Sequence, residues 1–146
     1  MIMSLADEAA TAALGVAVAR ALGPGEAVCL WGPLGAGKST LARALIRALT
    51  RPDEEVPSPT FTLVQAYDGP FPIAHFDLYR LAGVGETEEL GLDEAIEDGA
   101  AIIEWPERLE GRLPLDRLDI VLSMEGDGRA ARLVPHGAWE GRTIEL

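Results

Sequence analysis

Asparagine is absent from this sequence, and lysine occurs once, at position 38. Every other member of the Lys/Arg set is arginine. A GC-rich genome explains the general scarcity of lysine, but not why the one that remains stands at 38. Cysteine also occurs once, as Cys29, so no internal disulfide can form and a reducing compartment is expected. Basic residues are few: 12 against 24 acids, for a formal charge of −12. That balance argues against sequence-independent nucleic-acid binding by this chain alone, because phosphate backbones recruit basic surfaces. It still allows a nucleic-acid pathway in which a partner holds the RNA. Long apolar runs are missing, and acids stand near the N-terminus where a secretory leader is basic. The expectation is a cytoplasmic protein with no membrane span.

What is present is enough for a core. The chain has 146 residues, 48% of them hydrophobic, and reads as a single domain over residues 1–146 without repeat or linker. Residues Asp7 to Leu22 predict a helix with an alanine-rich apolar face, ended by Gly23-Pro24-Gly25. Ala27 to Trp31 is a short apolar run, read as a buried strand. Lys38 to Leu49 predicts a second helix. Thr60 to Tyr67 and Ile73 to Leu78 read as strands joined by the turn Asp68-Gly69-Pro70, hence antiparallel. Thr87 to Ile96 predicts a helix and Ala101 to Glu104 a buried strand. Leu118 to Met124 and Ala131 to Val134 form a hairpin through Gly126-Asp127-Gly128. The expected fold class is α/β, a three-layer P-loop NTPase-type fold. Its central sheet is mixed, parallel near the glycine loop and antiparallel at its edges.

The unique lysine lies in Gly32-Pro33-Leu34-Gly35-Ala36-Gly37-Lys38-Ser39, which fits the phosphate-binding pattern G-x-x-x-x-G-K-[ST]. A strand precedes it and a helix follows, the context such a loop requires. The amides of Gly35, Ala36 and Gly37 and the helix N-terminus would face the phosphates. A slim ammonium threads into that cradle where a planar guanidinium would not. Ser39 is read as a Mg²⁺ ligand or, in the alternative, as a helix cap. Thr40 is either an α-phosphate contact or simply the next helical residue. Asp77 and Glu104 each end an apolar strand, where a P-loop enzyme needs acids to hold metal and orient water. Each is also compatible with an ordinary strand end. Thr60, in Ser58-Pro59-Thr60-Phe61, either senses a γ-phosphate or belongs to a turn entering a strand. His75 reads as a core or edge histidine, because no second His or Cys stands at metal spacing. Cys29 reads as a small core residue. Trp105 follows Glu104 and is either packing or a docking anchor. A guanine-specific N-K-x-D motif is impossible without asparagine.

The chain resembles the TsaE (YjeE) family, small bacterial P-loop ATPases needed to make threonylcarbamoyladenosine next to the tRNA anticodon. The resemblance rests on Thr11-Ala12-Ala13-Leu14-Gly15, Gly32 to Thr40, Ser58 to Val64, His75-Phe76-Asp77-Leu78-Tyr79-Arg80-Leu81, Glu89-Leu90-Gly91-Leu92, Ile103-Glu104-Trp105-Pro106 and Gly128 to Arg132. The H-F-D-L-Y-R and E-W-P blocks are its specific part, since a generic P-loop protein has no need of them. The resemblance implies that Lys38 and the loop amides cradle phosphates, and that Ser39 and Glu104 hold Mg²⁺. It implies a catalytic or metal-organising Asp77 and a switch role for Thr60. Thr11, Arg129 and Arg132 are implied near the adenine end, and Trp105 in function and partner coupling. It further implies slow ATP hydrolysis, stimulated by a TsaB–TsaD heterodimer that the protein resets between turnovers, with tRNA met only through that complex. Pro57 stands where a basic residue is common, and the tail after Gly137 fits poorly. A small-molecule P-loop kinase and a non-hydrolysing nucleotide sensor are the alternative functions.

Overall fold

The computed structural model describes residues 1–57, 63–81 and 90–146. In chain order it contains β1 (Ile2–Leu5), α1 (Glu8–Ala21), β2 (Ala27–Trp31), α2 (Lys38–Leu49), β3 (Val64–Asp68), β4 (Pro72–Asp77), α3 (Leu92–Asp98), β5 (Ala100–Glu104), β6 (Arg117–Glu125) and β7 (Gly128–His136). Short 3₁₀ turns follow β5 and β7, at Pro106–Leu109 and Gly137–Trp139. The strands form one sheet in the order β1-β7-β6-β2-β5-β4-β3. Strands β6, β2, β5 and β4 run parallel, while β1–β7, β6–β7 and β4–β3 pair antiparallel. The mixed sheet, parallel at its centre, is therefore as the sequence reading expects.

Strand periodicity divides the core into two layers. Along β2, Val28 and Leu30 face α1 and α2, joined there by Ile102, Ile120 and Leu133. Ala27 and Cys29 face the other way, toward Phe76, Ile103, Leu92 and Leu109. A strand buried on both faces reads as a continuous apolar run, and this one does. Burial raises the pKa of the Cys29 thiol, first by desolvation and then through Asp119, which leaves it an inert core residue. Helices α1 and α2 pack closely at Gly15, where an added Cβ would lie 2.6 Å from the Leu41 carbonyl oxygen.

Most predicted boundaries hold to within two residues. Asp7 caps α1 by accepting from Ala10 N–H at 2.9 Å, and Leu22 is its C-cap. Three local departures have physical causes. Strand β3 begins at Val64 rather than Thr60; Leu63 has φ 64°, a left-handed kink that breaks extension, and residues 60–62 lie outside the described segments. Helix α3 begins at Leu92, behind a left-handed Gly91, and 87–89 lie outside the description. Strand β1 has no counterpart in the sequence reading; it is four residues long and only Leu5 is fully buried. The C-terminal tail packs on the fold: Trp139 is buried, and the Arg142 guanidinium pairs with the buried Glu26. Among the described residues no helix is long and apolar enough to cross a membrane.

Candidate active site

The carboxyl ends of β2, β4 and β5 open onto one cavity of about 560 Å³, roofed by the hairpin between β6 and β7. The size suits a nucleotide-scale ligand. Loop 32–37 leaves β2 and feeds α2. Gly32 has φ 143°, and a Cβ there would meet the Leu122 carbonyl oxygen at 2.6 Å, so only glycine fits. Gly37, at φ 102°, is the N-cap of α2 and supplies no side-chain acceptor. The first amides of α2 are thus left for an anion, at the positive end of the helix. Thr11 backs this turn: its Cγ2 lies 3.3 Å from the position of a Gly37 Cβ.

Lys38 is buried at 5% exposure. Its Nζ donates to the Gly32 carbonyl oxygen at 2.6 Å and lies 3.3 Å from the Trp105 ring centroid. Desolvation lowers the ammonium pKa, opposed by the charges of Glu104, Glu107 and Asp77. Trp105 has φ 61°, an uncommon conformation for a bulky residue, and also packs on Tyr79 with centroids 4.8 Å apart.

Two acids stand at adjacent strand ends near the lysine. Asp77 and Glu104 are register partners across β4 and β5. Asp77 Oδ1 accepts the Tyr79 N–H at 3.1 Å. Glu104, nearly buried, receives Ser39 Oγ at Oε1 (3.4 Å) and faces His75 Nε2 through Oε2 at 2.6 Å. Among the described residues no three His, Cys, Asp or Glu side chains gather as a metal cage. Mg²⁺ at phosphate sites does not need one: one or two protein oxygens, substrate phosphates and waters suffice. The Ser39 hydroxyl and Glu104 Oε1 fit that donor set.

The cavity brings together Thr11, Gly35, Gly37, Lys38, Ser39, Thr40, Asp77, Glu104, Trp105 and Arg129. Ala36 is fully buried in the loop. Arg129 clamps the loop, donating from Nε and Nη2 to the Gly35 carbonyl oxygen at 3.1 and 2.9 Å. Arg132 does not join them. It is exposed between buried Ala131 and Leu133, so strand alternation turns it to the opposite sheet face, away from the cavity. Thr60 lies outside the described residues. The sequence reading gave no site role to Arg80 or Tyr79, which line the cavity, or to His75, which holds Glu104. A signal for His75 exists: His75 and Asp77 are two apart on a strand and share a face.

The sequence matches, over residues 5–133, the family model described as threonylcarbamoyl adenosine biosynthesis protein TsaE. The chain belongs to the TsaE family. A tRNA threonylcarbamoyladenosine biosynthesis protein TsaE of Bacillus subtilis is 43% identical over 71% of this chain and 65% of its own, so the chain spans just under two thirds of that relative. TsaE of Rickettsia bellii is 39% identical over 77% of this chain and 79% of its own. TsaE of Treponema pallidum is 39% identical over 81% and 87%. Among solved structures, Bacillus subtilis YdiB superposes with a TM-score of 0.76 at 30% identity, covering 94% of this chain and 86% of that one. Membership in TsaE ties the chain to threonylcarbamoyladenosine biosynthesis, a tRNA modification.

Proposed function

We propose that this TsaE-family protein is a cytoplasmic, single-domain ATPase that binds ATP with Mg²⁺ and hydrolyses it slowly on its own. Hydrolysis serves to reset a TsaB–TsaD heterodimer between turnovers, with tRNA reached only through that complex. The observation that supports this best is the Ser39–Glu104 pair beside a buried lysine and a register-matched Asp77. A loop that only bound phosphate would need the lysine and the amides, but not two acids at adjacent strand ends.

Binding would begin with exchange of partners at Lys38. Its Nζ leaves the Gly32 carbonyl and contacts β- and γ-phosphate oxygens, while the loop amides and the start of α2 receive the remaining charge. Ser39 Oγ and Glu104 Oε1 would hold Mg²⁺, which neutralises charge building up on the phosphates. Asp77 would orient the attacking water or take its proton. Thr60 would report the γ-phosphate. Thr11 and Arg129 bound the cavity at the end where the nucleoside would lie. Slow intrinsic turnover fits a site that a partner completes.

The deciding experiment is ATP turnover with and without a TsaB–TsaD complex and tRNA. Weak activity alone and strong stimulation by the complex are expected. Absence of stimulation overturns the reset reading. A phosphorylated small-molecule product would instead mean a kinase, and intact ATP under single-turnover conditions a sensor.

A further inference from the structure

His75 reads from the sequence as a core or edge histidine, with no site role. Strand alternation puts Ile73, His75 and Asp77 on the α1–α2 face of β4, and Phe76 on the other. The ring is 2% exposed. Nε2 stands 2.6 Å from Glu104 Oε2, and Nδ1 is buried with no hydrogen-bond partner among the described residues. The position of one proton follows. With hydrogen on Nδ1 alone, a donor would be buried without an acceptor and the Nε2 lone pair would press against a carboxylate oxygen. Both arrangements are costly in a dry site. Nε2 therefore carries a proton and donates it to Glu104.

That donation distinguishes the two oxygens of Glu104. Oε2 is committed to the ring, and Oε1 is the oxygen that faces the Ser39 hydroxyl. Both partners are almost fully buried, so the contact between them is shielded from water. We propose that His75 is a positioning residue: it holds Glu104 by Oε2 so that Oε1 alone is presented, beside Ser39 Oγ, to a divalent cation. The inference rests on the Mg²⁺ reading above. It assigns to β4 a second duty besides carrying Asp77, since the strand that brings the water-orienting acid also sets the angle of the metal-holding one.

Mn²⁺ titration of the protein loaded with a non-hydrolysable ATP analogue, followed by electron paramagnetic resonance, tests this without any turnover. His75→Phe keeps the ring shape and removes the donor; Mn²⁺ affinity should fall by about 10- to 100-fold, the usual effect of losing an outer partner of a metal ligand. His75→Gln, whose amide nitrogen can reach the same oxygen, should stay within a few-fold of wild type. Analogue binding in EDTA should be unchanged in both, which a general loss of structure would not allow. A Phe variant that binds Mn²⁺ like wild type overturns the positioning role and leaves the metal reading standing. Wild-type protein that takes up no Mn²⁺ beside bound analogue overturns the metal reading and this proposal with it. Should the Phe variant not fold, two-bond ¹⁵N correlations of the imidazole in the wild-type protein decide: a proton on Nε2 is expected, and one on Nδ1 alone sinks the idea.

Discussion

At the scale of single residues, burying Lys38 costs stability in the absence of ligand. Its pKa is lowered on folding, chiefly by desolvation, so the folded state binds this proton less tightly than the unfolded chain does. Stability from this group rises as pH climbs from the lowered folded value toward the unfolded one, near 10.4, and is at its worst below both. Lys38→Met should therefore abolish ATP binding yet leave the ligand-free protein melting at or above the wild-type temperature at pH 7, by about 2–4 °C for each kcal/mol recovered. The variant should also lack the alkaline part of the wild-type stability rise. A melting temperature several degrees below wild type would contradict the cost assigned to the buried charge; calorimetry across pH 7–10 reads both. Asp77 is the other residue whose role separates from its packing. In the role proposed for it above, Asp77→Asn should reduce turnover by about 10²- to 10⁴-fold while ATP affinity stays within a few-fold, the contribution that a positioned base makes to proton transfer. Loss of binding together with turnover would point to a structural role.

At the scale of elements, the phosphate loop is held from outside itself. Arg129, on β7, forks onto the Gly35 carbonyl, and Gly32 leaves no space between the loop and β6. Arg129→Lys cannot make the same two-pronged contact. The expected result is about 10-fold weaker ATP binding, worth ~1.4 kcal/mol, with thermal stability unchanged within a few degrees. Isothermal titration and a melting curve measure the two halves of that statement. The elements differ in how visible they were in the sequence, and the reason is the range of the interactions that form them. Helix α2 and strand β2 were legible because a local motif and a continuous apolar run mark their ends. The hairpin β6–β7 was legible through Gly126-Asp127-Gly128. Strand β1 was not, because a four-residue edge strand is defined by its pairing with β7, far along the chain. The site shows the same division. Lys38, Ser39, Asp77 and Glu104 could be named from motif and strand-end position. The contact of His75 with Glu104 joins residues on separate strands and becomes visible only when β4 and β5 lie in register. Arg129 lines the cavity and Arg132 does not, because two residues three apart on a strand point to opposite faces, which a sequence motif alone does not register.

At the scale of the whole molecule, the charge of −12 acts on folding and on encounter. Self-repulsion in an acidic chain is relieved by salt, and attraction to a basic surface on the partner proposed above would be weakened by it. Raising ionic strength from 50 to 300 mM should therefore raise the melting temperature while raising the concentration of TsaB–TsaD needed for half-maximal stimulation. A stimulation indifferent to salt would remove electrostatic steering from the account. The C-terminal tail closes the fold from the far side: Arg142 pairs with Glu26 and lies over Trp139, its guanidinium carbon 4.9 Å from the ring centroid. Truncation after Gly141 should cost about 3 kcal/mol, since it strands a buried carboxylate. Trp105 lies against the ammonium of Lys38, and the chain's other indoles are Trp31 and Trp139, the latter deep in the core. A nucleotide that draws the ammonium onto its phosphates must change the field on one indole and leave Trp139 almost untouched. With Trp31 and Trp139 replaced by phenylalanine, the emission of the protein would become a direct, label-free clock for the arrival and departure of the proposed nucleotide.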